Sequence, residues 1–169
     1  MKRARGVRLL VAVAAVALVL SLASCLRWML PARPVRAAGV APIRPDEGEV
    51  VELTVTGYCN CGSCCGWRRK WFLFGSPVYD YGKMKGKPKI VGRTASGTTA
   101  RPGTLAADVR VFPFGTRMEI PGYGTGVVED IGGAVKGNHV DAWFESHEEA
   151  RAWGVKKLKA RVVRPAPSR

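Results

Sequence analysis

Two aspartates in one short segment have the types and the spacing to do chemistry. The segment 127–144 reads VVEDIGGAVKGNHVDAWF, with Asp130 before a glycine pair and Asp141 inside a strand-like run. Side chains alternate between the two faces of a strand, so Val140 and Ala142 can enter a core while Asp141 points the other way. A carboxylate beside aromatic rings on a strand wall suits sugar chemistry. An ordinary exposed aspartate on an edge strand would give the same pattern.

The spacing from Asp130 to Asp141 also carries a resemblance. The run D-x-G-G-A-x-K-G-N-x-x-D resembles the signature of the 3D-domain family, which is named for three aspartates and includes the catalytic barrel of MltA-type lytic transglycosylases. Further motifs similar to the family's stand in the same order: TVTGYCNCGSCCG at 54–66, GRTASGTTARPGTLAAD at 92–108, FPFGTRMEIPGYGTG at 112–126 and SHEEARAWGVKKLKARVV at 146–163. The resemblance therefore covers most of the chain after residue 50.

This resemblance implies an all-β fold, a six-stranded double-psi β-barrel with one short helix. Composition by itself indicates a small all-β barrel or sandwich, because the 169 residues include 20 glycines and 11 prolines and no long amphipathic helix is evident. We predict one domain at 50–164 and a short tail at 165–169. A capping box that begins at Ser146 predicts the short helix, which Gly154 should end.

The stretch 67–91 is basic and rich in aromatic residues, and we interpret it as an insertion loop with a short hairpin. Its rings would either stack on sugar rings at the rim of a cleft or cover one end of the barrel.

The N-terminal part of the chain is typical of an export signal. Basic residues precede an almost unbroken apolar stretch at 9–22, so 1–25 is predicted to be a signal peptide. The sequence Leu-Ala-Ser-Cys that ends at Cys25 has the form of a lipobox, in which this cysteine becomes lipidated; plain secretion and an uncleaved membrane anchor are the alternatives. Residues 26–49 read as a proline-rich linker. All three alternatives predict a location in the cell envelope: the periplasm, the outer membrane or the cell-wall side.

The net charge of +14 invites a nucleic-acid function, which the distribution of charge argues against. Seven of the 27 lysines and arginines lie at or before Arg36, in the predicted signal and its flank. An exported protein meets the cell wall, which carries carboxylates and phosphates. A basic surface would bind these groups in a salt-sensitive way. Alternatively, the basic residues only keep the domain soluble. We therefore expect peptidoglycan glycan strands as the partner, no nucleic acid, membrane contact only through an N-terminal lipid or anchor, and a monomer.

Four cysteines form a compact group in the sequence CNCGSCC, at Cys59, Cys61, Cys64 and Cys65. An even number of cysteines in an exported chain favours disulfides, and the adjacent pair would each bond to one of the other two. Four thiolates are also the ligand number of a closed zinc site, so structural zinc is the alternative. No motif ties either histidine of the chain to this group, and apart from that zinc we expect no cofactor.

The resemblance implies cleavage of the bond between N-acetylmuramic acid and N-acetylglucosamine in peptidoglycan. A hydrolase commonly uses two carboxylates for such a bond, whereas a lytic transglycosylase can use one, first as acid and then as base, and leaves a 1,6-anhydro ring. By the family pattern Asp141 matches that acid/base. Asp130 matches a residue that orients and tunes the site, and Asp108 one that does the same or holds the fold. The alternative function is a polysaccharide-binding barrel without catalysis, and a third is a zinc-stabilised interaction module.

The same pattern implies residues that contact the substrate. Thr94, Ser96 and Gly97 match a T-A-S-G stretch near the sugar site, with Thr94 the better candidate for a hydrogen bond to the substrate. The backbone amides of Gly132 and Gly133 can approach an oxyanion or a sugar oxygen closely, because glycine has no side chain in the way. Lys136 matches a family lysine that would either bind a carboxylate or cap its loop.

Overall fold

The computed structural model describes residues 40–71 and 74–166. The predicted signal peptide with Cys25, most of the predicted linker and the last three residues of the tail lie outside these ranges. Within the described residues, no helix has the length and the apolar character needed to cross a membrane.

Ten elements make up the described chain. In order they are β1 (Glu49–Tyr58), α1 (Gly62–Cys65), β2 (Trp67–Arg69), β3 (Pro77–Tyr79), β4 (Thr104–Ala107), β5 (Arg117–Ile120), β6 (Gly124–Asp130), β7 (His139–Trp143), α2 (His147–Trp153) and β8 (Lys156–Val163). Six of the strands close into a barrel in the order β1-β7-β4-β6-β5-β8. This confirms the predicted all-β, six-stranded barrel.

Two of the six strand pairs in the barrel are parallel. These are β1 with β7 and β4 with β6, and the other four neighbouring pairs are antiparallel. A parallel pair cannot be joined by a tight hairpin, so each needs a crossover connection. The parallel register sets Thr56 beside Asp141, across β1 and β7. Residues far apart in sequence thereby meet on one wall.

The barrel interior is filled by alternate residues of its strands. Val140 and Ala142 of β7 are fully buried in this core, as their alternation predicts, and Phe144 packs against it from a partly buried position. The core also holds Leu53, Val55, Leu105, Phe112, Met118, Ile120, Tyr123, Val128 and Val162. Since side chains alternate along β7, Asp141 and Trp143 lie on its outer face.

Both helices and the insertion add detail to the prediction. Helix α2 begins with the predicted capping box, because the Ser146 side chain and backbone bond reciprocally with Glu149, and it ends at Gly154 at a φ of 68°. Helix α1 is a single turn that was not predicted. In the insertion, β2 and β3 form an antiparallel hairpin in which Trp67 lies opposite Tyr79.

Candidate active site

A cleft of about 350 Å³ opens on the outer face of the barrel, where β1, β6 and β7 meet the insertion. The two aspartates of the short motif, Asp130 and Asp141, both line it. Three residues of the insertion, Tyr79, Tyr81 and Lys89, line it from the other side. The motif aspartates, which are eleven positions apart in the chain, therefore share one concave surface with aromatic rings.

Asp141 is held by a short chain of hydrogen bonds. The hydroxyl of Thr56 donates to Asp141 Oδ1 at 2.9 Å and lies 2.8 Å from Nε2 of His139. Because the single hydroxyl proton of Thr56 goes to Asp141, His139 must donate to Thr56 through its Nε2–H. Burial raises the pKa of Asp141 above the ordinary value of 3.8; Thr56 and His139 oppose this shift, and the negative charge of Asp130 adds to it.

Asp130 joins the end of β6 to two other parts of the cleft. Its Oδ1 accepts hydrogen bonds from the backbone N–H of Ala95 and of Ile131, both at 2.9 Å, and its Oδ2 accepts from the Tyr58 hydroxyl at 3.1 Å. Burial and then the Asp130 charge raise the pKa of Tyr58, so this hydroxyl stays protonated and remains a donor. Asp130 thus has a fixed position in the cleft, and its negative charge raises the pKa of Asp141.

The T-A-S-G stretch forms a tight loop beside the cleft. Thr94 lines the cleft but is 5% exposed, and its hydroxyl accepts from the backbone N–H of Thr98 at 3.0 Å and lies 2.8 Å from the Thr98 hydroxyl. Ser96 and Gly97 are exposed and do not line the cleft. The loop presents the backbone of Ala95 toward Asp130. The hydroxyl of Thr94 therefore serves the shape of the loop in this arrangement.

The glycine pair of the motif lies in the cleft, and the motif lysine lies outside it. Gly132 and Gly133 both line the cleft, and a Cβ on Gly132 would lie 2.3 Å from Val135 Cγ2, too close for any other residue without a shift. Lys136 is exposed and lies outside the cleft; its carbonyl accepts from His139 N–H at 3.1 Å. The backbone of the glycine pair, not the lysine, borders the aspartates.

Asp108 lies away from the cleft, in the turn after β4. It is 6% exposed and accepts from Arg110 Nη2 at 2.8 Å and Nε at 3.0 Å, and from Gly137 N–H at 3.2 Å. The Arg110 hydrogen bonds, followed by that of Gly137, hold the pKa of Asp108 well below its usual range. Asp108 therefore ties the turn after β4 to the loop before β7, and the cleft receives two of the three motif aspartates.

Replacing Asp108 with asparagine is expected to lower the Tm at neutral pH, because the amide cannot hold Arg110 as a carboxylate does. A depressed pKa in the folded state stabilises the fold above the ordinary value of 3.8 and loses that effect as the pH falls below it. The Tm difference from the parent should therefore shrink in acid, as thermal unfolding across pH would show. Asp46→Asn, at an exposed carboxylate, is the control. A Tm difference that stays constant down to low pH would contradict a charge-dependent role for Asp108.

The four cysteines at 59–65 divide into three and one. The sulfur atoms of Cys59, Cys61 and Cys64 lie with a ring nitrogen of His147 in one group whose atoms are all within 4.8 Å of one another. No disulfide joins any of these four residues, and Cys65 stands outside the group, donating through Sγ to the Cys59 carbonyl at 3.1 Å and lining the cleft. Sequence reasoning missed His147, because nothing in the spacing linked this first residue of α2 to a group more than eighty positions earlier.

The insertion brings its rings and charge to the cleft. Lys89 donates to the Cys65 carbonyl at 2.9 Å and lies 4.4 Å from the centre of the Tyr79 ring. Tyr81 is 66% exposed, so its ring is open to a ligand. Trp71 and Phe74, at 80% and 92% exposed, lie further out on the same insertion. Of the two alternatives for the insertion, Tyr79 and Tyr81 have the position that stacking at the rim of a cleft requires.

Residues 103–164 match the family model of the 3D domain. This match confirms the resemblance to the 3D-domain family that the motifs carry. Two proteins of Bacillus subtilis (strain 168) are similar to it: the cell wall-binding protein YocH, 36% identical over 78 residues, and the putative cell wall shaping protein YabE, 33% identical over 76 residues. The matches cover 44% and 43% of this chain but 27% and 19% of those proteins, so the chain spans less than a third of either relative.

Solved structures of MltA from Escherichia coli also resemble the chain. One, described as a unique lytic transglycosylase fold, matches with 25% identity and a TM-score of 0.37 over 48% of this chain and 30% of MltA. Another, of MltA with bound chitohexaose, matches with 24% identity and a TM-score of 0.35 over 44% of this chain and 28% of that one.

Proposed function

We propose that this chain cleaves the bond between N-acetylmuramic acid and N-acetylglucosamine in peptidoglycan, as a lytic transglycosylase of the cell envelope. The observation that carries this proposal is Asp141, a half-buried carboxyl group with a raised pKa that faces a cleft shared with a second carboxylate. Desolvated acids in clefts are typical of catalytic proton donors. The names of the two Bacillus relatives support the cell wall as the target.

In the first step Asp141 acts as the acid. The raised pKa keeps a larger fraction of the group protonated near neutral pH than an exposed aspartate would have. Its proton passes to the glycosidic oxygen, the bond from that oxygen to the anomeric carbon breaks, and the N-acetylglucosamine side leaves with a new hydroxyl. The Asp141 carboxylate that results is stabilised by the hydrogen bond from Thr56.

In the second step the same carboxylate acts as the base. It takes the proton of the muramic acid C6 hydroxyl while that oxygen bonds to the anomeric carbon, which closes the 1,6-anhydro ring and restores protonated Asp141. No water enters the reaction, so one carboxyl group suffices. Asp130 does not exchange a proton in this scheme. Its fixed charge raises the pKa of Asp141 and stabilises positive charge that develops on the sugar ring.

The binding-only alternative remains a second candidate because one relative is named a cell wall-binding protein. Tyr79 and Tyr81 border the aspartates and would hold a sugar ring by stacking in either case. A binding barrel has no use for a raised pKa at Asp141, which is the reason that we favour the enzyme.

Purified peptidoglycan incubated with the full-length chain separates the two candidates. We expect muropeptides with 1,6-anhydro ends, detected by mass spectrometry. Products with only reducing ends would indicate a hydrolase, and a protein that sediments with peptidoglycan but yields no products would support the binding barrel.

The pH profile of kcat/KM should shift in opposite directions in two variants. Asp130→Asn removes a charge that raises the pKa of Asp141, so the alkaline limb of kcat/KM should shift to lower pH. Thr56→Val removes a hydrogen bond that lowers this pKa, so the limb should shift to higher pH. Both variants keep nearly the size of the parent side chain. Shifts in the same direction, or none, in a pH profile of product formation would contradict Asp141 as the acid.

A further inference from the structure

Three cysteine sulfurs and one imidazole nitrogen converge beside the cleft, at the separations that ligand atoms have around one metal ion. We call them the Cys3His cluster: Cys59, Cys61, Cys64 and His147. Cys59 Sγ lies 3.8 Å from Cys64 Sγ. His147 Nδ1 lies 3.5 Å from Cys61 Sγ and 3.5 Å from Cys64 Sγ. Each of the four residues turns one ligand atom to the same small volume.

We propose that the Cys3His cluster binds one zinc ion in a closed tetrahedral site. Zinc bonds of about 2.3 Å to sulfur and about 2.0–2.1 Å to nitrogen, at the tetrahedral angle, place two sulfurs about 3.8 Å apart and a sulfur and a nitrogen about 3.5 Å apart. The three close separations in the cluster match these values. Three thiolates and one imidazole are also a known structural zinc ligand set.

The local backbone is shaped for such a site. Cys61 caps the single turn of α1, and the backbone N–H of Cys64 donates to Cys61 Sγ at 3.4 Å. Together they form a C-x-x-C turn, the spacing with which two ligands commonly bind one zinc. Gly66 ends this turn at a φ of 59°, a left-handed conformation that glycine adopts readily. The other ligands come from elsewhere: Cys59 directly after β1, and His147 from the first turn of α2.

The geometry assigns His147, not Cys65, as the fourth ligand. The Cys65 thiol donates to the Cys59 carbonyl at 3.1 Å, and its sulfur is not part of the group of ligand atoms that lie within 4.8 Å of one another. A zinc site of four cysteines would therefore need the chain to rearrange. Disulfide pairing is also a poorer account of the cluster, because it leaves unexplained an imidazole 3.5 Å from two thiols.

Four protein ligands close the coordination sphere, so the metal would be structural. It would tie the end of β1 to the start of α2. The tied segment carries Tyr58 and Asn60, whose side chains bond Asp130 and the Trp143 indole. The ion would hold one wall of the cleft, and because metal binding to such sites is coupled to folding, its removal should loosen that wall. Zinc binding by the Cys3His cluster does not depend on what the cleft binds.

Metal analysis of the full-length chain, purified in detergent without chelators, tests the proposal. We expect about one zinc per chain in the parent and a small fraction of that in His147→Ala. Cys65→Ser is the matched control and should keep the parent's zinc content. Cobalt substitution of the parent should give the intense visible bands of tetrahedral coordination with sulfur-to-metal charge transfer, a readout that does not depend on whether a variant folds.

Two other results would overturn the proposal. In the first, the parent contains no zinc and takes up no cobalt, and its cysteines react with an alkylating agent only after reduction. This result would show disulfides in place of the metal. In the second, the parent binds zinc, Cys65→Ser does not, and His147→Ala still does. This result would show a four-cysteine site with a different geometry.

A chelator tests the same assignment through stability. It should lower the Tm of the parent and of Cys65→Ser but leave the Tm of His147→Ala unchanged.

Discussion

Replacing Asp141 with asparagine should abolish cleavage of peptidoglycan while the protein stays folded. The amide has no proton to give to the glycosidic oxygen, and general acid–base catalysis is typically worth about a hundred- to ten-thousand-fold in rate. The asparagine oxygen can still accept the hydrogen bond of Thr56, since that hydroxyl donates to Asp141 Oδ1 in the parent. The loss should be plain in a turbidity assay and in the yield of anhydromuropeptides, with the Tm close to the parent value.

Control variants show whether the effect is specific to Asp141. Asp46→Asn makes the same chemical change at an exposed carboxylate outside the cleft and should leave the rate unchanged. Binding to peptidoglycan should survive in Asp141→Asn, because the aromatic rings that border the cleft are untouched. If Asp141→Asn kept near-normal activity while Asp130→Asn was inactive and well folded, the two aspartates would have the reverse of the proposed roles. A folded and fully active double variant would remove the catalytic proposal.

Local patterns in the sequence were sufficient for the elements around the site. Alternation in the segment at 139–144 places Val140 and Ala142 in the core, and the structure buries both completely. The capping box at Ser146 predicts helix α2, which begins at the next residue. These signals depend on neighbours within a few positions, and such neighbours are visible in one sequence.

The contacts that define the site are long-range, and no local pattern contains them. Thr56 bonds Asp141 across 85 positions, through a parallel pairing of β1 and β7. His147 meets Cys64 across 83 positions. Parallel register and the end-to-end approach of a strand and a helix are fixed by barrel closure, which spacing does not encode. The resemblance to the 3D-domain family supplied the barrel, but it did not supply these partners.

The motif also groups residues that the fold separates. Asp108 belongs to the same three-aspartate signature as Asp130 and Asp141, yet it accepts from Arg110 and Gly137 in a turn outside the cleft. A signature records residues that a fold requires for any reason, and stabilising a turn is one of them. Only the hydrogen bonds around each carboxylate distinguish a residue that shapes the barrel from one that faces a ligand.

Tyr123 connects the core to the strand that carries Asp141. It is fully buried, and its hydroxyl donates to the carbonyl of Trp143 at 2.8 Å and accepts from the backbone N–H of Gly103 at 3.0 Å. Its ring packs edge-on against Phe144 at 5.3 Å and Trp153 at 6.1 Å between centroids. One side chain therefore satisfies two buried backbone groups that no water can reach, and it fixes the end of β7 two residues beyond Asp141.

Two substitutions at Tyr123 should separate these contributions. Tyr123→Phe keeps the ring but leaves the two backbone groups unpaired, which we expect to cost about 1–3 kcal/mol of unfolding free energy. Tyr123→Ala also removes the ring, and truncating a buried aromatic adds about 3–5 kcal/mol. Because a domain of this size is stable by about 5–15 kcal/mol, the alanine variant should be largely unfolded or close to it. Denaturant unfolding measures both, with Tyr81→Phe, at an exposed tyrosine, as the control. If Tyr123→Phe were as stable as the parent, the two buried groups would have to find other partners, and Tyr123 would act through its ring alone.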